Sequence, residues 1–436
     1  CLNGVVNPDR GVKPALLETQ KVYQHIKFSM KGDRALKIRN GYSFKDLACF
    51  DLLWDVKAEG EVLATGKVVL PEVLPGEDHV AELVYEADMP GEYFVNCYAV
   101  LNEDDGLLVK GDILAMEQFL FGKPVTPDLQ ASSTGSGLEQ THKEGDHMLV
   151  INGPDFSIEF DMNEGRISRW KAGELDLLKV GPASNFWRAP IDNDFGNGLD
   201  IRARVWREIW ERKAGITTEL VGFSPEKAVI QVKTGLSDYD GNVVAENIIE
   251  YRIHSGGEIE VSNRIIVTEP ETAEMPRFGM NMILPVEFSQ MTWYGRGPHE
   301  SYWDRKTSAF VDVWSGSVAD QYWPYIRPQE NGNKTDVRWV KLLNENGQGL
   351  LVRGMPLLSV SAHHNLISDF ESPGRTDGRH VDGKKPVNRH TTDVVPRDLI
   401  SLNIDFKQMG VGGDDSWGAW THPEYRLTGK DYTYSF

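Results

Sequence analysis

Four clusters of polar side chains in this 436-residue chain have the types and spacing to do chemistry. Near the C-terminus, residues 410–420 read Gly-Val-Gly-Gly-Asp-Asp-Ser-Trp-Gly-Ala-Trp, a carboxylate pair and two indoles among glycines. Asp414 and Asp415 are adjacent, so on extended backbone they point to opposite faces and cannot bracket one bond. In a Gly-rich turn they instead accept backbone N–H groups and shape the loop. Asp192 and Asp194 are spaced differently: if extended they share a side, with Cα atoms ~6.6 Å apart. Glycosidase carboxyl pairs sit ~5–9.5 Å apart, so spacing alone admits them. Nothing nearby in sequence would part their pKa values, and the pair reads as a local Asx-type turn. His299 beside Glu300 diverges on a strand, and a structural role is the expectation. His363-His364, with His380 and His390 beyond, lack the spacing of a His-Glu-x-x-His or Cys-x-x-Cys metal site. No Gly-x-Gly-x-x-Gly turn and no Gly-x-Ser-x-Gly elbow is present.

The elements that must position these groups read as β. Residues 26–121 run as short alternating strands such as Leu52-Leu53-Trp54-Asp55-Val56, separated by Gly, Asp and Pro turns, which predicts an immunoglobulin-like sandwich. A helix over 15–25 precedes it, started by Pro14, with Leu16 and Tyr23 on one face. Cys49 lies only five residues before Trp54, so Cys49 and Cys97 are expected to be free, buried thiols and not a disulfide. Pro124, Pro127 and the run 132–137 give 122–146 a linker composition. Residues 147–436 alternate again, as in Phe156-Ser157-Ile158-Glu159-Phe160, over a length that calls for a large antiparallel sandwich. One helix is predicted within it, over 200–213, with Trp206 and Trp210 on one face and Gly215 as its cap. Eleven of the twelve tryptophans follow residue 146. Most are expected to be core, and one or two in Gly-rich loops are the candidates for exposure: Trp417 is expected to be held out by its loop, with Trp420 packed beneath.

Composition bounds the partners. A net charge of −19 argues against a phosphate-backbone binder, and the substrate is expected to be neutral. No apolar run approaches the ~18 residues that span a membrane. A chain that opens on Cys1 without a basic-then-apolar segment reads as a piece of a longer one.

Taken together, Phe186-Trp187-Arg188-Ala189-Pro190-Ile191-Asp192-Asn193-Asp194, Tyr294-Gly295-Arg296-Gly297-Pro298-His299-Glu300, Pro328-Gln329-Glu330-Asn331-Gly332 and Gly412-Gly413-Asp414-Asp415-Ser416-Trp417 occur in order. This resembles the C-terminal part of a glycoside hydrolase family 2 β-galactosidase. The resemblance implies an all-β chain: an immunoglobulin-like sandwich (26–121) followed, after the linker, by a large antiparallel mutarotase-like β-supersandwich (147–436). Residues 1–25 would be the end of a (β/α)₈ barrel and a connecting helix. The family's retaining chemistry uses two glutamates on that barrel, so no catalytic residue is expected here. Trp417 corresponds to an apolar wall of the sugar site, and covering ~100 Å² of a galactose face would contribute ~2.5 kcal/mol. Asn3 corresponds to a rim amide that reaches the sugar and a sodium ion, and Gly196 to a mobile loop near the pocket. Magnesium and sodium are implied for the whole enzyme, mostly on the barrel. The implied partners are a β-galactoside, the catalytic barrel and further copies of the enzyme. The alternatives are a free-standing carbohydrate-binding sandwich and a mutarotase-like epimerase, the latter needing a convergent histidine and carboxylate.

Overall fold

The structure, a computed structural model, describes residues 4–86, 89–124, 137–143, 147–371, 388–415 and 418–436. It divides into two compact units. The first takes Cys1–Thr126 together with Tyr294–Pro298 and Lys306–Val313, and the second takes the remainder.

In the first unit, helix α1 (Pro14–Tyr23) leads into seven strands: β1 (Ile26–Lys31), β2 (Ala35–Asn40), β3 (Phe50–Ala58), β4 (Glu61–Val69), β5 (Asp78–Glu82), β6 (Tyr93–Leu101) and β7 (Ile113–Phe121). They form a three-stranded sheet, β1-β2-β5, and a four-stranded sheet, β4-β3-β6-β7. The period-two pattern is visible in β3, where Phe50, Leu52, Trp54 and Val56 are buried in alternation. Trp54 pairs in register with Cys97, and Cys49 and Cys97 are both free. Cys97 is buried as expected, whereas Cys49, ahead of β3, is only half-buried. The helix departs from its expected face. Tyr23 is exposed, and Pro14 and Lys21 are the buried residues, Lys21 held by Glu117 at 2.7 Å. Glu18 accepts the backbone N–H groups of Thr307 and Ser308 and both of their hydroxyls.

The second unit is built mainly of strands. Strands β8 (Glu139–Lys143), β9 (Met148–Asn152), β10 (Phe156–Asp161), β11 (Arg166–Ala172) and β12 (Leu175–Asp176) form a five-stranded meander. The linker reading of 122–146 therefore gives way to a strand at β8, which pairs with β9 from Glu139↔Asn152 to Lys143↔Met148. The larger sheet runs through β13 (Val180–Asn185), β14 (Lys213–Phe223), β15 (Lys227–Ser237), β16 (Val243–His254) and β17 (Ile259–Val267). It continues through β18 (Arg277–Leu284), β19 (Gln290–Gly297), β20 (Phe310–Ser317), β21 (Lys334–Leu343), β22 (Gly349–His363), β23 (Ile400–Gln408) and β24 (Asp431–Ser435). Every strand pairing described is antiparallel, and one apolar core gathers residues from both sheets. The all-β reading of both units holds.

The expected helix over 200–213 is broken up. Helices α2 (Asp192–Asn197) and α3 (Leu199–Arg202) are followed by two single 3₁₀ turns, Arg204–Trp206 and Ile209–Glu211. Glu208, between the turns, has φ of 57°, a left-handed conformation that ends any continuous helix. Gly215 lies inside β14 and caps nothing. Both indoles still reach the core, because successive tight turns bury Trp206 and Trp210 against it. Among the described residues no helix is long and apolar enough to cross a membrane.

Candidate functional site

The Gly-rich stretch leaves the sheet at the end of β23 and is fastened before its tip begins. The carboxylate of Asp304 accepts the N–H groups of Val411 (3.0 Å) and Gly412 (2.6 Å). Arg188, 1% exposed, donates to the carbonyls of Met409 (3.1 Å) and Gly410 (3.2 Å). The Thr421 hydroxyl is 3.2 Å from the carbonyls of Gly410 and Gly412, closing the loop's base. Charged partners make these bonds stronger than neutral ones, and the Arg188 bonds are shielded from water.

The same Arg188 ties the loop to α2. One of its terminal nitrogens lies 3.1 and 3.0 Å from the two oxygens of Asp194, which also accepts the Ile191 N–H at 3.0 Å. Burial pushes the Asp194 carboxyl up, and the Arg188 guanidinium pulls against it. Asp192 and Asp194 do not lie on extended backbone: both stand in the first turn of α2. Asp194 turns inward to Arg188, while Asp192 is exposed and pairs with Arg327 at 3.0 Å, the guanidinium lying 3.9 Å over Phe195. The expectation that Asp194 bonds local backbone holds, through the turn of a helix.

Gly196, expected in a mobile loop, is the fifth residue of α2. The Gly-rich stretch passes close beside it. Gly418 has φ of 134°, and a side chain there would meet the Gly196 carbonyl at 2.8 Å, so the contact and the backbone both require glycine. Within the loop, Asp415 accepts the Ala419 N–H at 3.1 Å. Asp414 lies 2.8 Å from the His422 ring, whose pKa its carboxylate raises. Trp420 was expected to pack beneath the loop and does not. It is 44% exposed, with the Arg202 guanidinium 3.7 Å from its ring centre. Trp417 and Ser416 lie outside the described residues, as does Asn3, the single metal ligand that the resemblance places on this chain.

The histidine candidates part company. His363 is buried, its Nε2 3.0 Å from the Asn331 carbonyl, and His364 Nδ1 is 2.9 Å from the Leu399 carbonyl. His390 precedes a 3₁₀ turn, and His380 lies outside the described residues. Among the described residues no cluster of histidine, cysteine and carboxylate groups is arranged to hold a metal ion. Glu300 is a structural group as expected: buried, it accepts the Gly332 N–H at 2.7 Å and bonds Arg305 and Tyr325. Sequence reasoning missed Arg188, Arg202 and Asp304. Arg188 stands inside the motif that offers Asp192 and Asp194, and Asp304 just past the one that offers His299 and Glu300. A cation directly before Ala-Pro and an aspartate after Tyr-Trp carry no local sign of a partner more than a hundred positions away.

Comparison with known proteins gives this arrangement its context. The family described as beta-galactosidase domain 4 matches residues 36–122. A beta-galactosidase of Priestia megaterium is 32% identical over 445 residues, covering all of this chain and 40% of that protein. One of Psychromonas ingrahamii is 29% identical, again across the whole chain and 41% of its own length. The chain thus spans about two fifths of the curated relatives it matches. Among solved structures, galactose 1-epimerase from Lactobacillus acidophilus aligns over 69% of this chain at 8% identity. It covers 96% of that protein with a TM-score of 0.28, too low to bear on fold or function. The family described as beta galactosidase small chain matches residues 152–436, the whole stretch that carries α2, Arg188, Asp304 and the Gly-rich loop, and the chain belongs to that family.

Proposed function

We propose that this chain is the non-catalytic C-terminal portion of a retaining β-galactosidase, and that its Gly-rich loop supplies the enzyme with an indole wall for the sugar. The observation that carries the reading is the double fastening of the loop's base by Arg188 and Asp304. A stacking surface lowers the cost of binding when it is ordered beforehand, because less conformational freedom is lost as the sugar arrives. In sequence Trp417 falls between Val411 and Gly412, fastened by Asp304, and Gly418, which lies beside Gly196 of α2. In this role Asp414 and Asp415 shape the loop and take no part in acid–base chemistry. The two glutamates that cleave the glycosidic bond, and most ligands of the magnesium and sodium ions, belong to the barrel, which is either the same polypeptide or a separate large subunit.

The test is Trp417→Ala in the complete enzyme, assayed on a nitrophenyl β-galactoside. Losing the indole is expected to raise KM about 10- to 100-fold, with a smaller effect on kcat. An unchanged KM removes Trp417 from the sugar site. A free-standing epimerase would instead need a histidine and a carboxylate converging in the sandwich groove, and conversion of one aldose anomer to the other by the isolated chain would favour it. Tight stoichiometric galactose binding by the isolated chain in calorimetry would favour a free-standing carbohydrate-binding module.

A further inference from the structure

The loop has a second fastening, at its far end, built from side chains given no role so far. Arg202, the last residue of α3, donates to the Asn197 carbonyl (2.6 Å) and its side-chain oxygen (3.0 Å). It also donates through two nitrogens to one oxygen of Glu274, at 3.2 and 2.8 Å. Its plane is therefore held by α2 on one side and by the chain before β18 on the other. On that guanidinium lies Trp420, 3.7 Å from ring centre to the central carbon. Arg426 approaches the same ring at 4.9 Å and donates to the carbonyl of Thr421, the residue after the indole.

The indole is 44% exposed, and part of the surface it does bury is its face on the Arg202 guanidinium. Stacking on a cation adds to that burial, and Arg suits this better than Lys because its planar group can bond and stack at once. Trp420 lies three residues after Trp417 and two after Gly418, where the chain touches Gly196. Fixing Trp420 therefore fixes the direction in which the chain leaves the tip, just as Asp304 fixes its entry.

We infer that Arg202 and Trp420 form a positioning clamp that sets the enzyme's affinity for the sugar by holding the loop that bears Trp417, without touching the sugar themselves. This rests on the sugar-wall reading of Trp417. The clamp is tested in the complete enzyme on a nitrophenyl β-galactoside, with Arg202→Gln, Trp420→Ala, Trp420→Phe, Trp417→Ala and the double variant Trp417→Ala/Arg202→Gln. Arg202→Gln and Trp420→Ala are expected to raise KM about 3- to 10-fold and to leave kcat within about twofold. Trp420→Phe, which keeps an aromatic face for the guanidinium, is expected to restore most of the affinity. In the Trp417→Ala background, Arg202→Gln is expected to add less than about twofold, because the group it acts through is already gone.

If Trp417→Ala raises KM while Arg202→Gln and Trp420→Ala leave it unchanged, the clamp is overturned and the sugar wall stands. If Arg202→Gln raises KM by the same factor with and without Trp417, the arginine acts independently of the indole and the clamp is again overturned. If Trp417→Ala itself leaves KM unchanged, the sugar-wall reading fails and the clamp with it.

Discussion

Asp405 is a buried carboxylate whose charge depends on one shared cation. Arg277, also fully buried, bonds Glu330 at 2.8 Å and lies 3.2 Å from Asp405, so two carboxylates compete for one guanidinium. Gln408 adds a bond to Glu330 at 3.1 Å and favours that partner. Burial pushes the Asp405 carboxyl up to about 7; Arg277 pulls it down, and Glu330 pushes it further up. The native state then holds a proton that the unfolded chain, with an ordinary aspartate, releases near pH ~4. The stability linked to that proton is present below pH ~4 and is lost as pH rises through about 7. Urea denaturation of the isolated chain at pH 5 and pH 8 checks this. Asp405→Asn should reduce the fall in stability between the two by about 1–3 kcal/mol, since the amide cannot titrate. A variant whose loss parallels that of the unmutated chain assigns the proton to another group.

At the scale of elements, the Gly-rich loop owes its shape to residues that belong to other segments. Asp304 follows the Tyr302-Trp303 pair and reaches across more than a hundred positions to two consecutive N–H groups. Without an anionic acceptor, those donors turn to water and the loop's entry loosens. Asp304→Ala is expected to speed amide hydrogen exchange across residues 409–421 of the isolated chain by about 10-fold or more, leaving the core strands β16 and β17 protected. Exchange that rises equally in both regions would mean a general loss of stability in place of a local one. This measurement needs no activity, so it speaks to the loop's construction whatever the fate of the sugar-wall reading.

For the whole molecule the decisive fact is coverage: the chain matches relatives across its entire length yet spans only about two fifths of theirs. In the proposed reading the chemistry resides in the other three fifths. The purified 436-residue chain is therefore expected to turn over no aryl β-galactoside, and mixing it with the remaining portion of the enzyme should restore hydrolysis. Turnover by the chain alone, abolished by changing Asp192, Asp194, Asp414 or Asp415, would return a catalytic role to these aspartates.

Much of the architecture follows from local pattern. Alternation in Phe50–Ala58 and Phe156–Asp161 marks strands because successive side chains on extended backbone face opposite ways, and each strand buries one set. The ordered motifs around Arg188, Glu300, Glu330 and Asp414 carried the family. Local pattern failed where long-range packing decided the outcome. Trp206 and Trp210 suggested one helix, but the chain turns at Glu208 so that both indoles enter the core. Asp192 and Asp194 suggested only a local turn, but a buried arginine takes one and a surface arginine the other. Trp420 suggested packing, yet it rests in the open on a guanidinium whose orientation is set by α2 and Glu274. Core burial decides the first case, ion pairs the second and stacking on a guanidinium the third, and only the folded chain sets those partners in place.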